Sequence, residues 1–143
     1  MYTFSRRLTS GAAGGTVAPV EALEPIGLVV TSVGTEQQAV EISEELVVRR
    51  LATCVNIIPC LRSVYRWKGK ICSDSEYLLF IKTRTALFAE VSEAIRELHS
   101  YELPEILMFP VQAAEEGFHR WVVEMASGVP DPESEPAQEA TFD

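Results

Sequence analysis

Residues 60–83 read "CLRSVYRWKGKICSDSEYLLFIKT". Two apolar-rich arms flank Lys68-Gly69, a pair suited to a tight turn, so the stretch predicts a β-hairpin. The upstream arm begins earlier, at "ATCVNIIP" (52–59), where Pro59 must bend or interrupt it. The polar "SDSE" (73–76) predicts a bulge or exposed kink in the returning arm. Both arms are longer than one small sheet needs, so the far half should project. Near the tip, Tyr65 and Trp67 share one face by alternation, and Arg66 and Lys68 fall on the other. A hairpin packed on its own domain, a nucleic-acid platform and a subunit contact would each explain that tip.

Working outward, "IGLVVTSV" (26–33) reads as a short buried strand. Thr35 and Gln38 form a capping box for a helix whose Ala39, Ile42, Leu46, Val47 and Leu51 share a face. Beyond the hairpin a second helix starts near Thr83 or Thr85, with Leu87, Val91, Ile95 and Leu98 as its stripe. "LPEILMFPV" (103–111) predicts a fourth strand, and Phe118, Trp121, Val122 and Met125 a closing helix. The order β-α-β-β-α-β plus a helix is an α+β, ferredoxin-like split βαβ pattern with an antiparallel sheet.

At 143 residues the chain has the length of one domain. Residues 1–25 read as a disordered leader, 26–127 as the folded domain, and 128–143 as a disordered acidic tail. No apolar run is long enough to span a bilayer. The formal net charge of −9 disfavours nucleic acid, whose backbone affinity comes from clustered cations. Cys54, Cys60 and Cys72 lack metal-type CxxC spacing, and reduced thiols in a cytoplasmic protein are the expectation. Cys54 reads as a small core residue; Cys60 and Cys72 would face each other across the hairpin only if a bulge shifted the register.

"RLATCVNIIP", "YRWKGK", "DSEYLLFIKT" and "HSYELPEI" occur in order, and they resemble the CutA family of divalent-cation tolerance proteins. The resemblance covers about Ile26 to Met125. It implies a ferredoxin-like fold assembled as a tight homotrimer, and association with copper and other divalent metals. It implies no settled reaction. Under this resemblance the hairpin tip becomes a subunit contact, with Tyr65, Trp67, Lys70, Lys82 and Tyr101 as cleft or interface residues. The family often has Pro where Ser100 stands and Gly where Cys60 stands. A first-strand Cys proposed as a metal ligand in the family corresponds to Thr31.

His99, Glu102 and Glu105 form the candidate metal set, because imidazole and carboxylates suit Cu(II) or Zn(II). With Thr31 in place of a thiol the donors are N and O only, which favours Cu(II) and disfavours Cu(I). The competing reading makes His99 a helix cap and pairs the acids with Lys70, Lys82 or Arg84. His119 reads as a solvated surface residue. No GxSxG, P-loop or GxGxxG is present, so a binding or signalling protein is expected rather than an enzyme. The alternatives are a small-molecule sensor using a cleft between protomers, and a trimeric scaffold.

Overall fold

A computed structural model describes residues 23–132 and 137–140. The elements are β1 (Ile26–Val33), α1 (Glu36–Val48), β2 (Cys54–Trp67), β3 (Lys70–Arg84), a single 3₁₀ turn (Thr85–Leu87), α2 (Phe88–Leu98), β4 (Leu107–Pro110) and α3 (Glu116–Met125). One antiparallel sheet runs in the order β2-β3-β1-β4, the ferredoxin-like arrangement read from the sequence. Most of the expected leader, residues 1–22, lies outside the described residues, as do 133–136 and 141–143 of the expected tail. Two ion pairs join residues just outside 26–127 to the domain. Glu24 pairs with Arg84 at 2.8 Å, and Asp131 with Arg50 at 3.0 Å.

Strand alternation sets the layers. Val29, Thr31 and Val33 alternate on β1, and across the ladder Ile81 and Leu79 oppose Val29 and Thr31. Apart from Thr31, these residues join Ile42 and Leu46 of α1 and Val91 and Ile95 of α2 in one fully buried cluster. Leu28, Val30, Leu78, Phe80, Leu107 and Phe109 occupy the opposite face by the same register. That face is left partly open: Leu107 is 47% and Phe109 53% exposed. Among the described residues, the outermost strands β2 and β4 each keep a free edge.

Local chemistry explains the ends of the elements. Thr35 Oγ1 accepts from the Gln38 backbone N–H at 3.2 Å, the expected N-cap. The reciprocal half of the box is not made. The Gln38 amide reaches the Leu98 carbonyl instead, tying α1 to the end of α2. Lys68 and Gly69 both have positive φ, 48° and 79°, as a two-residue type I′ turn requires. The irregularity lies in β2, between Ile58 and Leu61, where Cys60 takes φ 62°. Beside "SDSE" the ladder is unbroken: Ser75, Asp74 and Ser73 pair with Arg62, Ser63 and Val64. The kink therefore comes from Pro59, which cannot donate to a ladder, and not from polarity in β3. It also leaves Cys60 and Cys72 apart, since Cys72 pairs with Tyr65.

Candidate functional site

The hairpin tip and the loop after α2 enclose a cleft of about 760 Å³. One wall is Ser63, Tyr65, Trp67 and Glu76; the other is Tyr101, Glu102, Leu103 and Glu105, with Ser32 between them. The register explains the first wall. Tyr65 and Trp67 alternate on β2, opposite Cys72 and Lys70, and the same parity on β3 leads through Asp74 to Glu76. Thus the two aromatics do share a face, and it looks onto a loop of their own chain.

Glu76 anchors the cleft. It is only 5% exposed, and its Oε2 accepts from the Tyr101 hydroxyl at 2.8 Å. The Tyr101 hydroxyl passes close to Gly34, where a Cβ would sit 3.2 Å from it, so glycine leaves room for the ring. Burial and then the bond to Glu76 push the Tyr101 hydroxyl pKa well above the usual tyrosine value. A parallel pair stands nearer the tip. The Tyr65 hydroxyl donates to Asp74 Oδ2, which raises its pKa to about 12.

His99 does not sit in this cleft as a metal ligand. It is buried, and its Nε2 lies 2.8 Å from the Ser32 carbonyl, to which it donates. Nδ1 accepts from the Tyr101 backbone N–H at 3.1 Å. These two bonds specify the neutral Nε2–H tautomer and leave neither ring nitrogen for a metal. The His99 backbone N–H also closes α2 on the Ile95 carbonyl at 2.8 Å. The imidazole is therefore a strut that ties the loop after α2 to β1 and sets where Tyr101 stands.

The rest of the expected ligand set is dispersed. Glu102 pairs with Lys68 at 3.6 Å, and Glu105 accepts from Ser32 Oγ at 3.4 Å. Among the described residues, no cluster of three His, Cys, Asp or Glu side chains is arranged to hold a metal ion. Within one chain these residues do not fit a divalent-cation centre.

Lys70 and Lys82 lie off the cleft. Lys70 opposes Trp67 at the hairpin end, and Lys82 opposes Cys54, with Nζ 3.7 Å from Sγ. Arg84 pairs with Glu24 rather than with the loop acids. Thr31 is fully buried on the core side, with no hydrogen-bond partner for Oγ1 among the described residues, so the position matching the family's thiol faces away from the cleft. His119 is half-buried and donates from Nε2 to the Glu24 carbonyl at 2.6 Å, correcting its reading as solvated. Sequence reasoning missed Glu76 and Ser32. The signal for Glu76 was its parity with Leu78 and Phe80, which places a carboxylate among apolar neighbours.

Comparison with known proteins agrees with this architecture. The family model of the CutA1 divalent ion tolerance protein matches residues 27–125. "Protein CutA" of Homo sapiens is 41% identical over 96 residues, covering 67% of this chain and 54% of that protein. The "Divalent-cation tolerance protein CutA" of Thermus thermophilus is 40% identical over 97 residues, covering 68% of this chain and 94% of that one. The chain thus spans about half the length of the mammalian relatives it matches. Among solved structures, CutA1 from Oryza sativa superposes with a TM-score of 0.70 at 31% identity, over 72% of this chain and 94% of that one. The match covers both walls of the cleft and the hairpin between the helices, and the chain belongs to the CutA1 divalent ion tolerance family.

Proposed function

We propose that this chain works as a non-enzymatic homotrimer in the cytoplasm, in the divalent-cation response for which its family is named. The observation that carries the assembly is the partly open sheet face. Leu28, Val30, Leu78, Phe80, Leu107 and Phe109 form one apolar surface, bounded by two free strand edges. Such a face loses free energy on meeting a copy of itself, by roughly 25 cal/mol per Å² of apolar area removed from water. The hairpin offers a second apolar surface on the other side of the sheet. Val64 and Ile71, at 68% and 64% exposed, are its most exposed large apolar residues. By strand register they stand on the face away from Tyr65, Trp67, Leu78 and Phe80, although Val64 also edges the cleft, and they offer a second subunit contact while the aromatics belong to the cleft.

The role in the metal response does not run through His99. Any divalent ion is held by carboxylates, such as Glu102 and Glu105 together with groups from a neighbouring subunit. Oxygen donors of this kind bind Cu(II) ahead of Zn(II), and Cu(I) poorly. Native mass spectrometry reads both parts at once. The expected spectrum shows three chains per particle, unchanged when divalent ions are stripped. Added Cu(II) should bind weakly, and equally to wild type and His99→Ala. Single chains, or tight binding that His99→Ala abolishes, would overturn the reading.

A further inference from the structure

The cleft holds a charge that the chain does not neutralise. Glu76 is nearly fully buried, yet among the described residues its partner is a neutral hydroxyl, that of Tyr101. None of the ion pairs formed by the described Lys and Arg side chains includes it. A carboxylate held largely out of water gains from a cationic partner on general grounds. Proteins keep such groups where a ligand completes them. Around Glu76, Tyr65, Trp67 and Tyr101 supply aromatic rings and Glu105 supplies further negative charge; no Lys, Arg or His is among the lining residues, and at the rim Lys68 pairs with Glu102.

We infer that this cleft binds a small organic cation, an ammonium or amidinium group carried on a compact apolar body, with Glu76 as its counter-ion and Trp67 and Tyr65 flanking it. Three features separate this ligand from others. A bare metal ion needs several donors converging on one point, and no such cluster exists among the described residues. An anion would meet Glu76 and Glu105, and the cation nearest the lining, Lys68, is already paired with Glu102. A neutral apolar molecule would leave Glu76 unpaired. An organic cation satisfies the carboxylate by a charge-assisted hydrogen bond and the rings by cation–π contact. Trp67 already shows this tendency, with Lys68 Nζ 5.6 Å from its ring centroid. The volume, about 760 Å³, lies in the range of roughly 300–1,000 Å³ for small-molecule sites. Both walls come from one chain, although Glu76, Tyr65 and Trp67 share strand parity with Leu78 and Phe80, so the cleft opens on the side of the sheet where the copies are proposed to meet.

The test uses fluorescence of the full chain carrying Trp121→Phe. Only two tryptophans are present, so Trp67 alone then reports. Benzamidine and benzylamine are the cationic probes, and benzamide is the neutral match for benzamidine. Both cations should change Trp67 emission saturably, and benzamide should bind at least tenfold more weakly. Glu76→Gln, which keeps the shape and removes the charge, should weaken benzamidine at least tenfold with an unchanged circular dichroism spectrum. If Glu76→Gln fails to fold, Trp67→Leu followed by calorimetry should still show a several-fold loss. The inference is overturned if neither cation binds, if benzamide matches benzamidine, or if the folded Glu76→Gln or Trp67→Leu protein binds as the parent does. Particle mass measured on the same samples keeps the assembly question separate.

Discussion

The two ends of the same hairpin obey different rules. At the base, Leu79 and Ile81 of β3 are fully buried under α1 and α2. At the tip, Tyr65, Trp67, Val64 and Ile71 stay substantially exposed, although they are as apolar as the base. No sequence rule for strands separates the two halves. What separates them is whether helices sit above them. The base makes the fold, and the tip provides surface for partners and for the cleft.

This contrast predicts unequal costs. Leu79→Ala should destabilise the chain by about 2–5 kcal/mol, since it empties a packed site. Trp67→Ala, at the tip, should cost far less despite removing more atoms. Denaturant titration of the pair checks it, and equal losses would mean the tip is part of the core. Next in size is His99→Ala, expected at about 2 kcal/mol, because it removes two hydrogen bonds and leaves the Ser32 carbonyl without its donor. A loss near zero would contradict the role of His99 as a strut between β1 and the loop after α2.

Smaller and opposite in sign is Thr31→Val. The buried Thr31 hydroxyl has no partner among the described residues, so a near-isosteric methyl should raise stability by about 1 kcal/mol. The smallest expected effect concerns pH. Tyr65 and Tyr101 have pKa values raised above the ordinary tyrosine value by Asp74, and by burial and Glu76. Raised folded-state values favour the protonated form. Their stabilisation is complete below the unfolded value of about 10 and is lost as pH rises beyond it, for Tyr65 up to about 12. Melting temperature should therefore fall above about pH 10, and Tyr65→Phe/Tyr101→Phe should flatten that fall.

Element order and the turn at Lys68-Gly69 were legible because apolar periodicity and turn chemistry are local. The N-cap at Thr35 was legible for the same reason. The β2 irregularity was half legible: Pro59 announced a break, while the polar run "SDSE" suggested one on the wrong strand. The site was least legible. His99 sits in a segment rich in donors, and its partner, the Ser32 carbonyl, is 67 residues away. Glu76 looked like part of a solvated polar run, because only the tertiary position of Tyr101 reveals its burial. Long-range hydrogen bonds leave no periodic trace, whereas helices and strands do.

The open sheet face is the centre of the account, and light scattering on wild type and Leu107→Asp/Phe109→Asp tests it most directly. Both substituted positions are exposed on β4, so the fold of the chain should survive. At micromolar concentration, with a chelator present, wild type should scatter as three times the 15.8 kDa chain. The double variant should scatter as one chain with its helical circular dichroism retained. Wild type at the single-chain mass, or a variant that stays trimeric, would contradict the claim that this face is where the copies meet.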